Sequence, residues 1–487
     1  MELLNKQFYK ELSNWYFWAM QNCHFPYFDP ETDKYDLFQD EEKVREHDAK
    51  NLIRLLTRIL FVWFIKEKGL VPDSFFETNS LKKDLLKDFD PNSKQTNYYK
   101  AILQNLFFAT LNQSHGKREF RKHGQHRNTT TLLRYEDRLK RPKQFIEIVE
   151  ATTPFLNGGL FDCLDYPHPT LKGPKDGAVI VYEDGFSDRN DNPLNVPDFL
   201  FFGPTQEVDL SDDYGDNERK KEKVRGLIHI LNGYKFTIVE NTPVEQEIAL
   251  DPELLGQVFE NLLASYNPET KTTARKQTGS FYTPRPIVDY MVDESLKAHL
   301  LKALTAEIGM DEGEAKEKLE DLFAYSEEPN PFNKEQTEQL IRAIDNCTIL
   351  DPACGSGAFP MGALHKLVYV LGKLDPRDKL WKKRQLSKVD KLIDSAREFE
   401  DSQFRERAIK DAQAQRRDIE EAFSRNELGY GRKLYLIENC LYGVDIQPIA
   451  AQISKLRFFI SLIVDQSVDP SRENFGIRPL PNLETKF

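Results

Sequence analysis

The sequence predicts a mainly α-helical N-terminal domain followed by an α/β domain with a doubly wound parallel sheet. Three observations indicate this fold class. Apolar residues recur at helical spacing near the N-terminus, residues 347–371 read as strand, glycine-rich turn and helix, and a second β-type run ends in an acid at Asp445. Strands that alternate with helices are typical of a parallel sheet whose faces are covered by the helices.

The composition excludes several classes of protein. The chain has 487 residues, of which 39% are hydrophobic and 30% charged, and a domain of roughly 150 residues is common, so about three structural units are expected. The longest apolar runs, residues 59–65 and 458–464, are far shorter than the ~20 residues of a membrane span. No secretory signal follows Met1. We therefore predict a cytoplasmic protein without a membrane partner.

Cysteine content and net charge add two restrictions. The five cysteines never occur as C-x-x-C, which argues against a disulfide framework and against a structural zinc site. We expect reduced, mostly buried thiols and no metal. The net charge of −12 disfavours broad non-specific binding to nucleic acid, so any DNA contact would need a local basic surface.

The N-terminal domain is predicted to span residues 1–172 and to be helical. Between residues 40 and 68, apolar residues recur at helical spacing, and Gly69 ends the pattern before Pro72. We interpret this stretch as a core-facing helix. The residues that carry the pattern are Leu52, Leu55, Leu56, Ile59, Leu60 and Trp63.

A basic segment at residues 117–143 stands out in this acidic chain, with ten basic and three acidic residues. It could follow a phosphate backbone by releasing counterions, or it could be a solvated face that pairs with acids elsewhere; both interpretations stay open. The histidines at 115, 123 and 126 have no carboxylate or cysteine at ligand spacing, so no metal site is expected there. The candidate DNA contacts are Arg118, Arg121, Lys122, Arg127 and Arg134.

The rest of the chain divides by composition. Residues 173–250 are rich in Asp, Gly, Pro and Asn and are predicted to be a loop-rich connector. Residues 251–487 are predicted to form the α/β domain, with a helical pattern returning from Asp251. Within it, residues 375–430 are highly charged and helix-forming, as expected of a solvent-exposed helical hairpin inserted into a larger domain.

The chemistry-bearing residues follow two β-type runs. The first ends at Asp351, and Gly355 and Gly357 then let the backbone turn sharply and approach a ligand. No Gly-Lys-Ser/Thr follows, so the loop is not a Walker A motif. The second run ends at Asp445, which in a parallel sheet would lie beside Asp351 and could bind both ribose hydroxyls of an adenosine. The charged insertion accounts for their separation of 94 positions.

These residues resemble a known family. Asp351-Pro-Ala-Cys-Gly-Ser-Gly-Ala-Phe359 is similar to motif I, the S-adenosylmethionine-binding motif of adenine-N6 DNA methyltransferases. Residues 278–291 resemble motif X of that family and residues 442–450 its motif II; the order X, I, II belongs to the γ class. The helical N-terminal region, residues 154–161 and the insertion are similar to those of large restriction-modification (type IIG-like) and phage-exclusion methylases.

The resemblance implies a Rossmann-like methyltransferase domain, S-adenosylmethionine as cofactor and double-stranded DNA as substrate. It also implies roles for single residues: Asp351 and the backbone of the turn would hold the methionine part, Asp445 the ribose, and residues 281–284 would close over the cofactor. Cys354 is then a turn residue and not a nucleophile. The cofactor-binding residues implied in this way are Thr278, Phe281, Tyr282, Thr283, Pro284, Asp351, Ala353, Cys354, Gly355, Gly357, Phe359, Asp445 and Ile446.

One family motif is missing. Motif IV, Asn or Asp followed by Pro-Pro-Tyr or Pro-Pro-Phe, occurs nowhere in the 487 residues, so we assign no catalytic residue. In the family, that motif aligns the flipped adenine with the methyl donor. We expect a truncated chain, or one half of a split enzyme, whose target-recognition region lies beyond Phe487. The alternative is a non-catalytic module that binds DNA or a partner and senses the cofactor.

Overall fold

The computed structural model divides the chain into two compact units. Unit 1 comprises Met1–Asn241, Glu245–Tyr282 and Val468–Asn482, and unit 2 comprises Thr242–Val244, Thr283–Ser467 and Leu483–Phe487. No helix among the described residues is long and apolar enough to cross a membrane. The structure describes residues 2–29, 34–35, 41–122, 129–156, 159–172, 178–189, 192–237, 253, 256, 283–376, 378–398, 402–424, 428–481 and 483.

Unit 1 is mainly helical, as predicted. Helix α2 carries the predicted apolar pattern, and Leu52, Ile59 and Trp63 on it are buried. Gly69, just beyond the helix, has φ +73°, a conformation that glycine adopts without strain. The helices of the unit are α1 (Glu2–Met20), α2 (Glu41–Lys66), α3 (Thr78–Ser80), α4 (Asn105–Ala109), α5 (Pro142–Thr152), α6 (Phe199–Phe202), α7 (Ser211–Tyr214) and α8 (Leu227–Leu231), with π-helical turns at Leu81–Leu85 and Tyr99–Gln104.

The predicted connector at residues 173–250 is corrected by the structure, because its described residues are an integral part of unit 1. They supply buried side chains such as Val196, Leu200 and Leu227. The Asp, Gly, Pro and Asn residues that predicted a linker at 173–250 instead accompany short antiparallel strand pairs. The antiparallel pairs of the unit are β1 (Phe28–Asp29) with β2 (Lys34–Tyr35), β3 (Tyr166–Lys172) with β4 (Ala178–Val181), and β5 (Gln206–Val208) with β6 (Glu222–Val224).

The C-terminal boundary also differs from the predicted domain 251–487. Asn474 accepts a hydrogen bond from the Phe155 backbone N–H at 2.6 Å and donates one to the Phe155 carbonyl at 2.9 Å. The Leu480 N–H donates to the Leu156 carbonyl at 2.6 Å. Residues 468–482 thus belong to unit 1, next to residues 154–156. The predicted helix from Asp251 lies outside the described residues, apart from Glu253 and Gly256.

Unit 2 contains two parallel strands enclosed by helices. Strand β7 (Ile349–Asp351) pairs with β8 (Leu441–Gly443), with Asp351 opposite Gly443. The predicted parallel pairing is confirmed, while a doubly wound sheet of more strands stays a prediction. The helices are α9 (Arg285–Ile308), α10 (Glu312–Phe323), α11 (Lys334–Asp345), α12 (Ala358–Leu374), α13 (Lys379–Arg397), α14 (Ser402–Ser424), α15 (Leu428–Asn439) and α16 (Pro448–Val464).

Two helices, α13 and α14, lie within the segment predicted to be a helical insertion, residues 375–430. Helices α13 and α14 pack against each other, and Val389, Ile393 and Ala412 form a small apolar cluster between them. Asp390 pairs with Arg416 across the two helices. Because the insertion forms its own pair of helices, the two strands can remain neighbours although 94 positions separate Asp351 from Asp445.

Candidate functional site at the ends of the parallel strands

The turn after β7 is fixed by hydrogen bonds to the chain that follows β8. The Asp351 carbonyl accepts a bond from the Val444 N–H at 2.9 Å, and the Val444 carbonyl accepts one from the Cys354 N–H at 2.9 Å. The Gly357 N–H donates to the Cys354 carbonyl at 2.8 Å. These bonds join the glycine turn and the end of β8 into one rim at the carboxyl edge of the sheet.

Both predicted turn glycines are required by the backbone. Gly355 has φ +52° and Gly357 has φ +84°, values in the left-handed region where a side chain is strained. A Cβ atom on Gly357 would also lie 2.4 Å from the Ser454 hydroxyl oxygen. Gly357 therefore lets helix α12 begin in close contact with α16, while the turn remains narrow.

Asp445 connects the two strand ends. One of its carboxylate oxygens accepts the Gly355 N–H at 2.9 Å and the other accepts the Gln447 N–H at 2.7 Å. Each oxygen has lone pairs beyond these bonds, so the half-buried carboxylate can still accept a ligand hydroxyl. The structure thus gives Asp445 a positioning role for the turn that its place in the sequence did not reveal.

Asp351 has an oxygen that no protein group satisfies. Its Oδ1 accepts the Ala353 N–H at 3.1 Å, whereas its buried Oδ2 has no hydrogen-bond partner among the described residues. Burial, reinforced by the negative charge of Asp445, raises the pKa of Asp351 above its usual range. A buried, unpaired carboxylate oxygen is costly, and a cationic or N–H ligand group would satisfy it.

The other predicted turn residues differ in exposure. Ala353 is exposed and Phe359 half-buried, while Cys354 is buried with 4% of its surface exposed. Burial and the nearby carboxylates of Asp445 and Asp351 raise the pKa of Cys354 to about 12. Its thiol is therefore protonated at neutral pH, which favours the predicted turn role over a nucleophilic one.

An apolar surface and a cavity accompany the carboxylates. Ile446, directly after Asp445, is 84% exposed, which suits a side chain that packs against a flat ligand ring. A cavity of about 470 Å³ borders Asp351 and Phe359. The other wall of the cavity lies on α9, where Met291 alone belongs to a segment that the sequence analysis singled out. The remaining residues of that wall recur at helical spacing, a pattern that ordinary packing faces share. The residues of the wall are Met291, Val292, Ser295, Leu296 and His299.

Only part of the predicted motif X segment is described. Thr283 is half-buried and Pro284 exposed, and they lead directly into helix α9. That helix packs closely on α12, because a Cβ on Gly362 would lie 2.6 Å from Val288 Cγ1. The remaining predicted cofactor residues of this segment, Thr278, Phe281 and Tyr282, lie outside the described residues.

Two of the predicted DNA contacts are corrected by their burial. Arg118 is 4% exposed and donates to the Val149 and Thr153 carbonyls at 2.8 and 2.9 Å. Arg134 is 2% exposed and stacks on the Phe186 ring at 4.6 Å. These guanidinium groups stabilise unit 1 and present no charge to a phosphate backbone, so for them the prediction is wrong.

The other three candidate contacts differ from one another. Arg121 pairs with Asp188 at 2.5 Å. Lys122 is exposed, with Glu119 at 3.7 Å, and Arg127 lies outside the described residues. Within the basic segment, the charges of Arg121 and Lys122 are therefore paired with neighbouring acids, while its contact with DNA stays a prediction.

Neither a cluster of metal-ligand side chains nor a disulfide occurs in the described part of the chain. No group of three or more His, Cys, Asp or Glu residues there could hold a metal ion. All five cysteines are free thiols, and all except Cys163 are buried. The prediction of reduced, mostly buried thiols is thus confirmed.

This geometry is of the class found at the carboxyl edge of parallel strands in α/β folds, where ligands commonly bind. The sequence is similar to a curated protein of Methanocaldococcus jannaschii named "Putative type II restriction enzyme and methyltransferase RM.MjaORFECS2P", with 25% identity over 452 residues. The match covers 92% of this chain and 28% of the relative, so the chain spans little more than a quarter of that protein. No protein-family model and no solved structure matches the sequence.

Proposed function

We propose that this chain is the cofactor-binding portion of an S-adenosylmethionine-dependent DNA methyltransferase of a restriction-modification or phage-defence system, with the N6 amino group of adenine as target. The observation that carries the proposal is the pairing of β7 with β8, which brings Asp351 and Asp445 to one rim around the glycine turn. The name of the M. jannaschii relative supports methyl transfer in restriction-modification, and the resemblance of motifs X, I and II supports the adenine target.

The residues of the rim fit S-adenosylmethionine. The unpaired Oδ2 of Asp351 can accept a hydrogen bond from the ammonium group of the methionine part. The carboxylate of Asp445 can accept bonds from the ribose hydroxyls, and exposed Ile446 offers an apolar surface to the adenine ring. When bound, the cofactor supplies an electrophilic methyl group, and the chain's own residues bind and orient it.

A second candidate function follows from the missing Asn/Asp-Pro-Pro-Tyr/Phe motif. Without those residues in the 487-residue sequence, methyl transfer is assigned only to a complete protein in which another segment or chain aligns the adenine. The second candidate is a module that binds DNA or a partner and uses the cofactor site for sensing. Such a module would need the same rim of Asp351, Asp445 and the glycine turn. DNA from the source genome downstream of the codon for Phe487 distinguishes the two, because a methyltransferase requires that motif there or in a partner gene.

Calorimetric titration of the full chain with S-adenosylmethionine tests the proposal. Asp351→Asn is the sharpest variant, because the amide oxygen can still accept the Ala353 N–H while the unpaired acceptor and the charge are lost. We expect binding to weaken at least tenfold, as when a hydrogen bond to a charged group is removed. Asp394→Asn, at an exposed position on α13, is the matched control. Unchanged affinity in folded Asp351→Asn protein would refute the assigned role.

A further inference from the structure

A cleft in unit 1 gathers positive charge from segments that are far apart in the sequence. Its volume is about 460 Å³ and its lining is predominantly polar. None of the cationic side chains that line it forms an ion pair with a carboxylate of the described residues, although two acids lie on the same wall. The charged residues of this basic cleft are Lys87, Lys94, Lys100 and Arg138, with Asp88 and Asp137.

Lys100 is the central observation. It is 8% exposed and lines the cleft, and its ammonium group forms no ion pair with a carboxylate of the described residues. Burial, with a smaller contribution from the charge of Arg138, lowers the pKa of Lys100 to about 8. A positive charge on a largely buried side chain is poorly solvated, and an anion bound in the cleft would stabilise it. Lys100 lies in the π-helical turn Tyr99–Gln104, a type of turn that is frequent at functional sites.

The other cations leave charge available to a ligand. Lys87 donates to the Asp137 carbonyl at 2.8 Å, a neutral acceptor that does not cancel its charge. Arg138 uses one terminal nitrogen for Asn97 Oδ1 at 2.5 Å, which holds the guanidinium at the cleft. Lys94 is exposed at the rim and has no partner among the described residues.

We propose that the basic cleft binds a phosphate group, and that in the working protein this is a phosphodiester of the DNA backbone. The assignment to DNA rests on the proposed function, whereas the phosphate chemistry rests on the cleft alone. Four cations against two acids give a local positive surface on a chain with net charge −12, which is the local surface that DNA binding requires here. The cationic residues of the cleft therefore replace the buried Arg118 and Arg134 as candidate contacts to DNA.

The test uses the full chain, a fluorescent duplex DNA and inorganic phosphate as separate probes. Lys100→Met retains most of the buried volume and removes the charge; we expect duplex affinity to fall about tenfold, and the dependence of log K on log salt to become shallower by about 0.9. Lys94→Met, at the exposed rim, should shift the salt dependence in the same direction without affecting folding. Lys220→Met, an exposed lysine of unit 1 that does not line the cleft, is the matched control.

The possible results distinguish a DNA phosphodiester from inorganic phosphate as the ligand of the cleft. They also distinguish failure of the cleft proposal from failure of the proposed function. Loss of duplex binding in both cleft variants but not in Lys220→Met supports a backbone contact. Lys100-dependent binding of inorganic phosphate with unchanged duplex binding supports the phosphate site and refutes its assignment to DNA. Unchanged binding of both probes in folded Lys100→Met and Lys94→Met overturns the inference. S-adenosylmethionine titration of the same variants reports on the proposed function independently, because those residues lie in unit 1 and the cofactor rim in unit 2.

Discussion

Single residues set the conformation of the rim at the ends of the parallel strands, and Gly357 is the most restrictive of them. Gly357→Ala would place a methyl group 2.4 Å from the Ser454 hydroxyl oxygen at φ +84°. We expect this variant to lose about 2 kcal/mol of folding free energy or more, and to lose S-adenosylmethionine binding. Urea unfolding and calorimetric titration measure the two effects.

Gly372 provides the control for that prediction. It lies in the same helix, α12, and a Cβ there would have no atom within 4 Å. Gly372→Ala should raise the free energy of unfolding by about 0.5–1 kcal/mol, because alanine loses less conformational entropy in a helix. Equal effects of the two substitutions would contradict the close approach of α12 to α16.

At the residue scale, Asp445 positions the turn, and the proposed function gives it ribose binding as well. Asp445→Ala removes the acceptors of the Gly355 and Gln447 N–H groups together with the proposed ribose acceptor. We expect S-adenosylmethionine affinity to fall by about 1.5–3 kcal/mol, with a measurable loss of thermal stability that Asp351→Asn does not share. Calorimetric titration and thermal unfolding of both variants provide the comparison; equal stability of the two would contradict the positioning role.

At the scale of elements, the charged insertion is anchored to the domain by a buried ionic cluster. Asp375 accepts the Leu380 and Trp381 N–H groups at the start of α13, at 3.2 and 2.9 Å. Arg432 on α15 lies 3.3 Å from the Asp375 carboxylate and also pairs with Asp378. All three side chains are nearly buried, and burial raises the pKa of Asp378. The cluster therefore depends on its single shared cation.

Arg432→Leu should destabilise unit 2 by about 3–5 kcal/mol, because it leaves two carboxylates buried without a positive partner. The matched control is Arg416→Leu, which removes the interhelical pair with Asp390 where both side chains are about half exposed. That change should cost less than about 1 kcal/mol. Denaturant unfolding of both variants tests the prediction, and a small loss for Arg432→Leu would show that the cluster adds little.

At the scale of the whole molecule, buried carboxyls make stability depend on pH. Burial raises the pKa of Asp198 to about 7; Arg138 and backbone N–H groups oppose the shift, while Asp90 adds to it. An unfolded aspartate titrates near pKa 3.9, so between about pH 4 and 7 the folded state binds more protons. Stability from this group therefore falls as the pH rises through that range and stays low above it.

Asp198→Asn should remove this dependence, because a neutral amide can still accept the Tyr98 N–H that Asp198 accepts at 2.8 Å. We expect the variant to gain a few kcal/mol at pH 8 relative to the original chain, and roughly a third as much at pH 5. Asp198 lies in unit 1, as do Trp15, Trp18 and Trp63, whereas Trp381 lies in unit 2. Tryptophan fluorescence during urea unfolding therefore reports mainly on unit 1. An equal gain at both pH values would contradict the assignment.

Local patterns allowed the sequence to determine much of this protein. The periodicity of α2, the glycine turn after Asp351, the parallel pairing with the strand before Asp445 and the helical insertion all depend on residues near one another or on one strand-helix alternation. Motif resemblance extended these patterns to a cofactor and a reaction class, which remain proposals.

Only the tertiary structure decided where charges lie and which turn-rich segments belong to a core. The basic segment 117–143 is continuous in sequence, but folding buries Arg118 and Arg134 against backbone carbonyls. It leaves a cationic cleft built around Lys100 from distant segments. Burial and the partners of a charge depend on contacts between residues far apart along the chain, and no periodicity or local composition encodes those contacts.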